Sequence, residues 1–177
     1  YNNNGTISGA VWNNSCRFND ANNVNCYTFD GVNDFINVSY KNSLNNTKAI
    51  SVETWIYPVN LTSPATGNTV VRKLNSWIIR LENAQPFFYI RFNITGSLGT
   101  LMFSGQTPLN SWTHLVGTYD GSTIKLYING TLVNSTSFTG DIRGEYEDVI
   151  IGSQAGTSSY FNGSIQGVRI YNRSLSA

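Results

Sequence analysis

The feature that most constrains this chain is its punctuation. Short runs of alternating apolar and polar residues end again and again in Asp-Gly, Asn-Gly or Gly/Asn-rich turns. Thr123–Ile128 (TIKLYI) sits between Asp120-Gly121 and Asn129-Gly130. Such dipeptides supply the positive φ angles that two-residue hairpin turns require. Phe87–Ile94 (FFYIRFNI) alternates throughout, so Phe88, Ile90, Phe92 and Ile94 share one face while Phe87, Tyr89, Arg91 and Asn93 share the other. Further strands are expected at Phe35–Tyr40, Ile50–Tyr57 (ended by Pro58), Val70–Lys73, Trp77–Leu81, Thr100–Ser104, Trp112–Tyr119, Thr131–Val133, Val149–Gly152 and Ser164–Tyr171. No window carries a 3.6-residue apolar period. The expected fold is all-β: 12–14 strands in two antiparallel sheets, a jelly-roll sandwich. Residues 1–177 read as a single domain, with 1–5 as a polar tail.

Composition narrows the function. Charged residues make up 12% of the 177, and the net charge is +1. No Lys/Arg run offers an electrostatic footprint for nucleic acid. No apolar run is long enough for a transmembrane helix. Apolar residues at 40% and aromatics at 13% suffice for a core. With no Met start and no signal peptide at Tyr1, the sequence reads as a mature or excised segment of a larger surface protein or assembly.

Cys16 and Cys26 are the only cysteines. Their spacing suits a disulfide better than a metal knuckle, and a disulfide points to an oxidising, extracellular compartment. Asn occurs 24 times, and ten N-x-S/T acceptors begin at Asn4, Asn13, Asn37, Asn45, Asn60, Asn93, Asn129, Asn134, Asn162 and Asn172. That is about twice the number composition alone would produce, which fits a cell-surface or secreted glycoprotein. Some of these asparagines also serve turns, as in YINGT and FNGS.

Catalytic constellations are sparse. The single histidine, His114, lies inside a strand beside Trp112, without a G-x-S-x-G elbow. One histidine also precludes an H-E-x-x-H site. Phosphate-binding glycine motifs are missing. Only Glu145, Glu147 and Asp148 cluster among the carboxylates, in a turn-like stretch beside Arg143. Glu145 and Glu147 are the candidates for a glycosidase reading. Glu53, within an apolar strand, calls for a structural partner, with Arg169 and Lys125 as candidates.

Four segments resemble motifs of laminin-G-like, concanavalin A-like lectin/glucanase domains. They are FDGVNDFINV (Phe29–Val38), SVETWIYP (Ser51–Pro58), WTHLVGTYDGSTIKLYINGTLV (Trp112–Val133), and IIGSQAG with FNGSIQGVRIYNRSLS (Ile150–Ser176), in the family's order. The resemblance implies a jelly roll of two curved sheets, used mostly as a binding module for glycans or proteins. It implies calcium in some members, with Asp30, Gly31 and Gln166 as candidate ligands here; relatives often carry Asp where Gln166 stands. Glucanases of this fold carry an E-x-D-x-x-E strand, and Glu145-Tyr146-Glu147-Asp148-Val149-Ile150 departs from it.

The expected function is therefore non-enzymatic and lectin-like, with a glycan or a surface protein as partner. Sugar sites pair an aromatic platform with polar donors and acceptors. Phe87, Tyr89 and Arg91, joined by Arg80, fit that description. A second candidate is Tyr160 with Phe161, expected near the acidic loop and Tyr146, although Phe161 matches a core position of the family. The alternatives are a structural or adhesive domain and, more remotely, a glycoside hydrolase.

Overall fold

A computed structural model describes residues 3–14, 16, 26–61, 68–93, 98–102 and 106–176, the side chains of 98–102 apart. Among them are fourteen strands: β1 (Thr6–Ser8), β2 (Val11–Asn13), β3 (Cys26–Asp30), β4 (Phe35–Val38), β5 (Ile50–Asn60), β6 (Asn68–Lys73), β7 (Trp77–Glu82), β8 (Gln85–Arg91), β9 (Leu98–Met102), β10 (Thr113–Tyr119), β11 (Thr123–Ile128), β12 (Thr131–Ser137), β13 (Val149–Ile151) and β14 (Asn162–Tyr171). A single 3-10 turn, Asn42–Leu44, accompanies them.

The strands form two seven-stranded sheets, ordered β1-β4-β13-β6-β7-β8-β9 and β12-β11-β10-β5-β14-β3-β2. Every pairing between these strands is antiparallel. Two such sheets, packed face to face, each bury one apolar face. The expected all-β sandwich is thus the observed fold.

The hairpin signals act as their chemistry dictates. Asp120 Oδ1 accepts the N–H groups of Ser122 at 2.9 Å and Thr123 at 2.8 Å. Asn129 and Gly130 adopt φ of 50° and 81°, the paired positive values of a tight hairpin turn. From β8 the alternation places Phe88 and Ile90 in the core, with Phe92 just beyond the strand. The sheets meet closely at Gly117 of β10: a Cβ there would lie 2.3 Å from the Phe88 ring. Phe29 packs edge-on against Phe161, and Phe92 stacks on Phe138 at 4.1 Å. Phe161 is wholly buried, in the core position expected of it.

Several boundaries differ from expectation. Pro58 does not end its strand; β5 continues to Asn60. The proline is tolerated because β5 itself bulges there: Val59 is the extra residue between Asn60, which faces Asn162, and Pro58, which faces Gly163. Gly163 holds φ of 142°, and a Cβ on it would meet the Tyr57 carbonyl oxygen at 2.1 Å. Strands β1, β2 and β3 lie in the N-terminal portion, where the sequence offered short runs without a clean period. The expected strand ends Ile94 and Ser104 fall outside the described residues.

Cys16 and Cys26 form the expected disulfide, with Cα atoms 5.8 Å apart. It ties β3, at the edge region of the second sheet, to the segment after β2. Glu53 pairs with Arg169, not Lys125: β14 sets Arg169 directly across from it, and Arg169 Nη1 donates to Glu53 Oε1 at 2.7 Å. The Tyr171 hydroxyl donates to the same oxygen at 3.2 Å.

Candidate functional site

The outer face of β6, β7 and β8 gathers most of the sugar-site candidates. Because Ile79, Leu81, Phe88 and Ile90 fill the core, the intervening residues point away from it. The register sets Arg80 across from Phe87, and Arg72, Ile78 and Tyr89 in one row. Arg91 completes β8 at the end where the β6–β7 turn supplies Asn75 and Ser76. Arg91 Nη1 donates to Asn75 Oδ1 at 2.7 Å. Arg72, Asn75, Ser76, Ile78, Tyr89 and Arg91 line a small open pocket of about 60 Å³.

Within this face the expected platform divides. Phe87 is only 6% exposed, with the Arg80 guanidinium carbon 5.6 Å from its ring centroid. Arg80 is also ion-paired to Glu82. Tyr89 is half-buried and, like the buried Trp77 and Lys73, lines the pocket. Arg72, which sequence reasoning did not select, stands beside it at 8% exposure. Burial lowers the Arg72 pKa, and the neighbouring charges of Arg91 and Arg80 lower it further, against an opposing pull from Glu147. The Nε atoms of Arg72, Arg80 and Arg91 are all buried without a hydrogen-bond partner among the described residues. Arg72 was legible in principle: once the turn at Leu74–Ser76 pairs Lys73 with Trp77, Arg72 must face Ile78 and share the outward side.

The second aromatic candidate does not assemble. Tyr160 follows β13 at the end near Thr69, whose N–H donates to the Ser159 carbonyl at 2.9 Å. Tyr146 precedes β13 at the opposite end, where Val149 faces Lys73. The two tyrosines therefore lie at opposite ends of the sheet. Tyr146 is 83% exposed and meets Tyr40 edge-on, while the Tyr160 hydroxyl donates to the Gly156 carbonyl.

The suggested calcium ligands do not share a site. Asp30 pairs with Asn162 across the β3–β14 ladder, whereas Gln166 pairs with Cys26. Four residues of strand separate them, roughly 13 Å. Asp30 Oδ1 accepts the N–H groups of Val32 and Asn33, stabilising the turn at Gly31, whose φ is 79°. Gln166 is 1% exposed within the second sheet. Among the described residues no three His, Cys, Asp or Glu side chains gather to hold a metal ion. Asp30 with Gly31 and Gln166 are thus two separate candidate positions.

The acidic stretch is largely occupied. Glu145 pairs with Arg143, and its N–H donates to Asn45 Oδ1. Asp148 accepts from Asn37 Nδ2 and the Tyr40 N–H. The adjoining Lys73 is buried and donates to the Leu44 carbonyl and to Asn45 Oδ1. Burial lowers its pKa to about 8, even though Glu145 and Glu147 favour its charge.

The second sheet carries a different outer face. Trp55 stacks on His114 with centroids 4.6 Å apart, and Tyr57 tilts against Trp112 at 5.5 Å. An open hollow of about 440 Å³ is bordered by Trp55, Trp112, His114, Asn129 and Gly130.

Solved structures share this architecture. The binding domain of Paraclostridial Mosquitocidal Protein 1 superimposes with a TM-score of 0.76 at 18% identity, over 99% of this chain and 46% of that one. Domain 4 of AbnA, a GH43 extracellular arabinanase from Geobacillus stearothermophilus solved with arabinotriose, gives 0.74 at 20% identity, over 97% and 84%. A botulinum neurotoxin type C structure, from a toxin whose cell entry depends on two ganglioside molecules, gives 0.71 at 16% identity, over 99% and 44%. The chain spans less than half the length of those toxin chains. At these identities the likeness is one of fold. No curated protein sequence matches the chain. A laminin G family profile, described as the concanavalin A-like lectin/glucanases superfamily, matches residues 30–177, which include all four motifs apart from Phe29. The chain belongs to the concanavalin A-like lectin/glucanases superfamily.

Proposed function

We propose that this chain is a non-catalytic, lectin-like module that binds carbohydrate and is displayed on a secreted or cell-surface glycoprotein. One observation carries the reading: Tyr89 and Arg91 line one open pocket on the outer face of the first sheet, with Asn75 on its rim. An aromatic ring beside fixed polar donors suits a sugar, whose apolar CH face needs the ring and whose hydroxyls need the donors. The arabinanase domain solved with arabinotriose lends the same fold to this reading.

The carboxylates support a non-catalytic role. Glu145 and Asp148 are committed to structural partners, as is Glu53. An extracellular setting is supported by the disulfide. Exposed acceptors at Asn4, Asn60, Asn93, Asn129 and Asn172 suit glycosylation, whereas the Asn37 amide is held by Asp148 and the Asn162 amide by the Asp30 carbonyl.

A glycan array followed by calorimetry tests this. Binding should fall at least tenfold in Tyr89→Ala and in Arg91→Ala. No binding to any saccharide at millimolar concentration would overturn it. A second reading, an adhesive domain that docks a protein, draws on β2 at the sheet edge, where Val11 and Trp12 are 65% and 55% exposed. Silence across the array, with self-association lost in Trp12→Ser, would favour that reading.

A further inference from the structure

We infer that the pocket on β6–β8 receives the negatively charged group, carboxylate or sulfate, of an acidic saccharide. This rests on the carbohydrate-binding reading and names the ligand's chemical class. Three arginines from three adjacent strands, Arg72, Arg80 and Arg91, share the face. Their company is short of negative charge. Arg80 has Glu82, but Arg91 has only the neutral carbonyl of Asn75. The Arg72 side chain has neither a hydrogen bond nor an ion pair among the described residues, and Glu147 attracts it from beyond ion-pair distance. Two guanidinium charges on one small face thus exceed the +1 of the whole chain.

Such an arrangement is costly unless something completes it. A buried charge without a partner is disfavoured, and like charges nearby add to the penalty. Arg72 is more than nine-tenths buried and lines the pocket with Arg91. A guanidinium presents parallel N–H donors that match a carboxylate or sulfate, so an anion would satisfy donors the protein leaves open. Tyr89, in the same row as Arg72, offers the partly exposed ring on which the sugar can rest.

The test uses matched polymers that differ only in charge: polygalacturonate against its methyl ester, and dextran sulfate against dextran. The wild-type chain should bind at least one acidic polymer at least tenfold more tightly than its neutral counterpart, with affinity falling as salt rises. Whichever acidic polymer binds identifies the group, carboxylate or sulfate. Arg72→Gln and Arg91→Gln should each remove most of that preference. Arg173→Gln, an exposed charge near the C-terminus, should leave it intact. Melting curves confirm that each variant is folded, and Arg91→Gln serves should Arg72→Gln fail. Equal binding of charged and neutral polymers, or equal loss in Arg72→Gln and Arg173→Gln, would overturn the acidic class while leaving carbohydrate binding in place. Binding to phosphatidylserine vesicles or polyglutamate but to no saccharide would overturn both.

Discussion

The outer faces of the two sheets solve the same problem in opposite ways. On the second sheet the charged and aromatic groups are mutually paired, although Thr118 Oγ1 is buried there without a hydrogen-bond partner among the described residues. Trp55 stacks on His114, Glu53 accepts from Arg169 and Tyr171, and the Thr28 and Ser164 hydroxyls lie 3.1 Å apart. On the first sheet three arginine Nε atoms are buried with no partner among the described residues. A face whose polar groups are internally paired gains little from a ligand. A face that buries unpaired donors gains a hydrogen bond for each one the ligand fills. Aromatic content alone would have pointed to the second sheet; hydrogen-bond accounting points to the first.

The strongest way to probe this contrast is to disturb what holds the faces apart. Gly117→Ala places a methyl group against the Phe88 ring in the core between the sheets. It should destabilise the fold by about 1–3 kcal/mol, as over-packing does. Chemical denaturation would measure it. Wild-type ligand affinity at low temperature, where the variant is still folded, would show that the outer faces are separable from the core.

The pH dependence comes next. Folding holds Lys73 at a pKa of about 8, below the ordinary 10.5, chiefly because burial disfavours its charge. Between those values the unfolded chain binds more protons than the folded one, so stability should rise with pH through the window from about 8 to 10.5. Below pH 8 both states are protonated, and the penalty is constant. The gain should be on the order of 1–3 kcal/mol. Urea midpoints at pH 7.5 and 9.5 should separate in the wild type and converge in Lys73→Met, once the tyrosine contribution common to both is subtracted.

Two substitutions set the faces directly against each other. Arg72→Met removes an unpaired buried charge and should stabilise the protein by about 1 kcal/mol while abolishing acidic-ligand binding. Glu53→Gln weakens a completed pair on the other face. It should destabilise by about 0.5–1 kcal/mol, a small cost because Arg169 is half exposed, and should leave binding unchanged. Opposite signs sharpen the comparison; the same sign would break it.

Much of this architecture was legible before any coordinates. Asp120-Gly121 and Asn129-Gly130 fix their turns by local chemistry, so β10, β11 and the start of β12 follow from neighbouring residues. The alternation of FFYIRFNI assigned its two faces correctly through Phe92 because strand periodicity is local as well. What escaped depends on partners distant in sequence. Pro58 continues β5 only because β5 bulges at Val59 against β14. Arg72 joins the site only through the β6–β7 register, which a bulge between Thr69 and Val71 obscures in the apolar run. Tyr146 and Tyr160 look close in sequence, yet the intervening β13 carries them to opposite ends of the sheet.

The central claim is that the first sheet, through its open arginines, is the ligand face. A single titration of the ¹⁵N-labelled chain with an acidic oligosaccharide reads both faces at once. The Nε–Hε signals of Arg72 and Arg91 are predicted to shift in proportion to occupancy, while the indole signals of Trp55 and Trp112 stay in place. Movement of the indole signals with the arginine signals unchanged would contradict it.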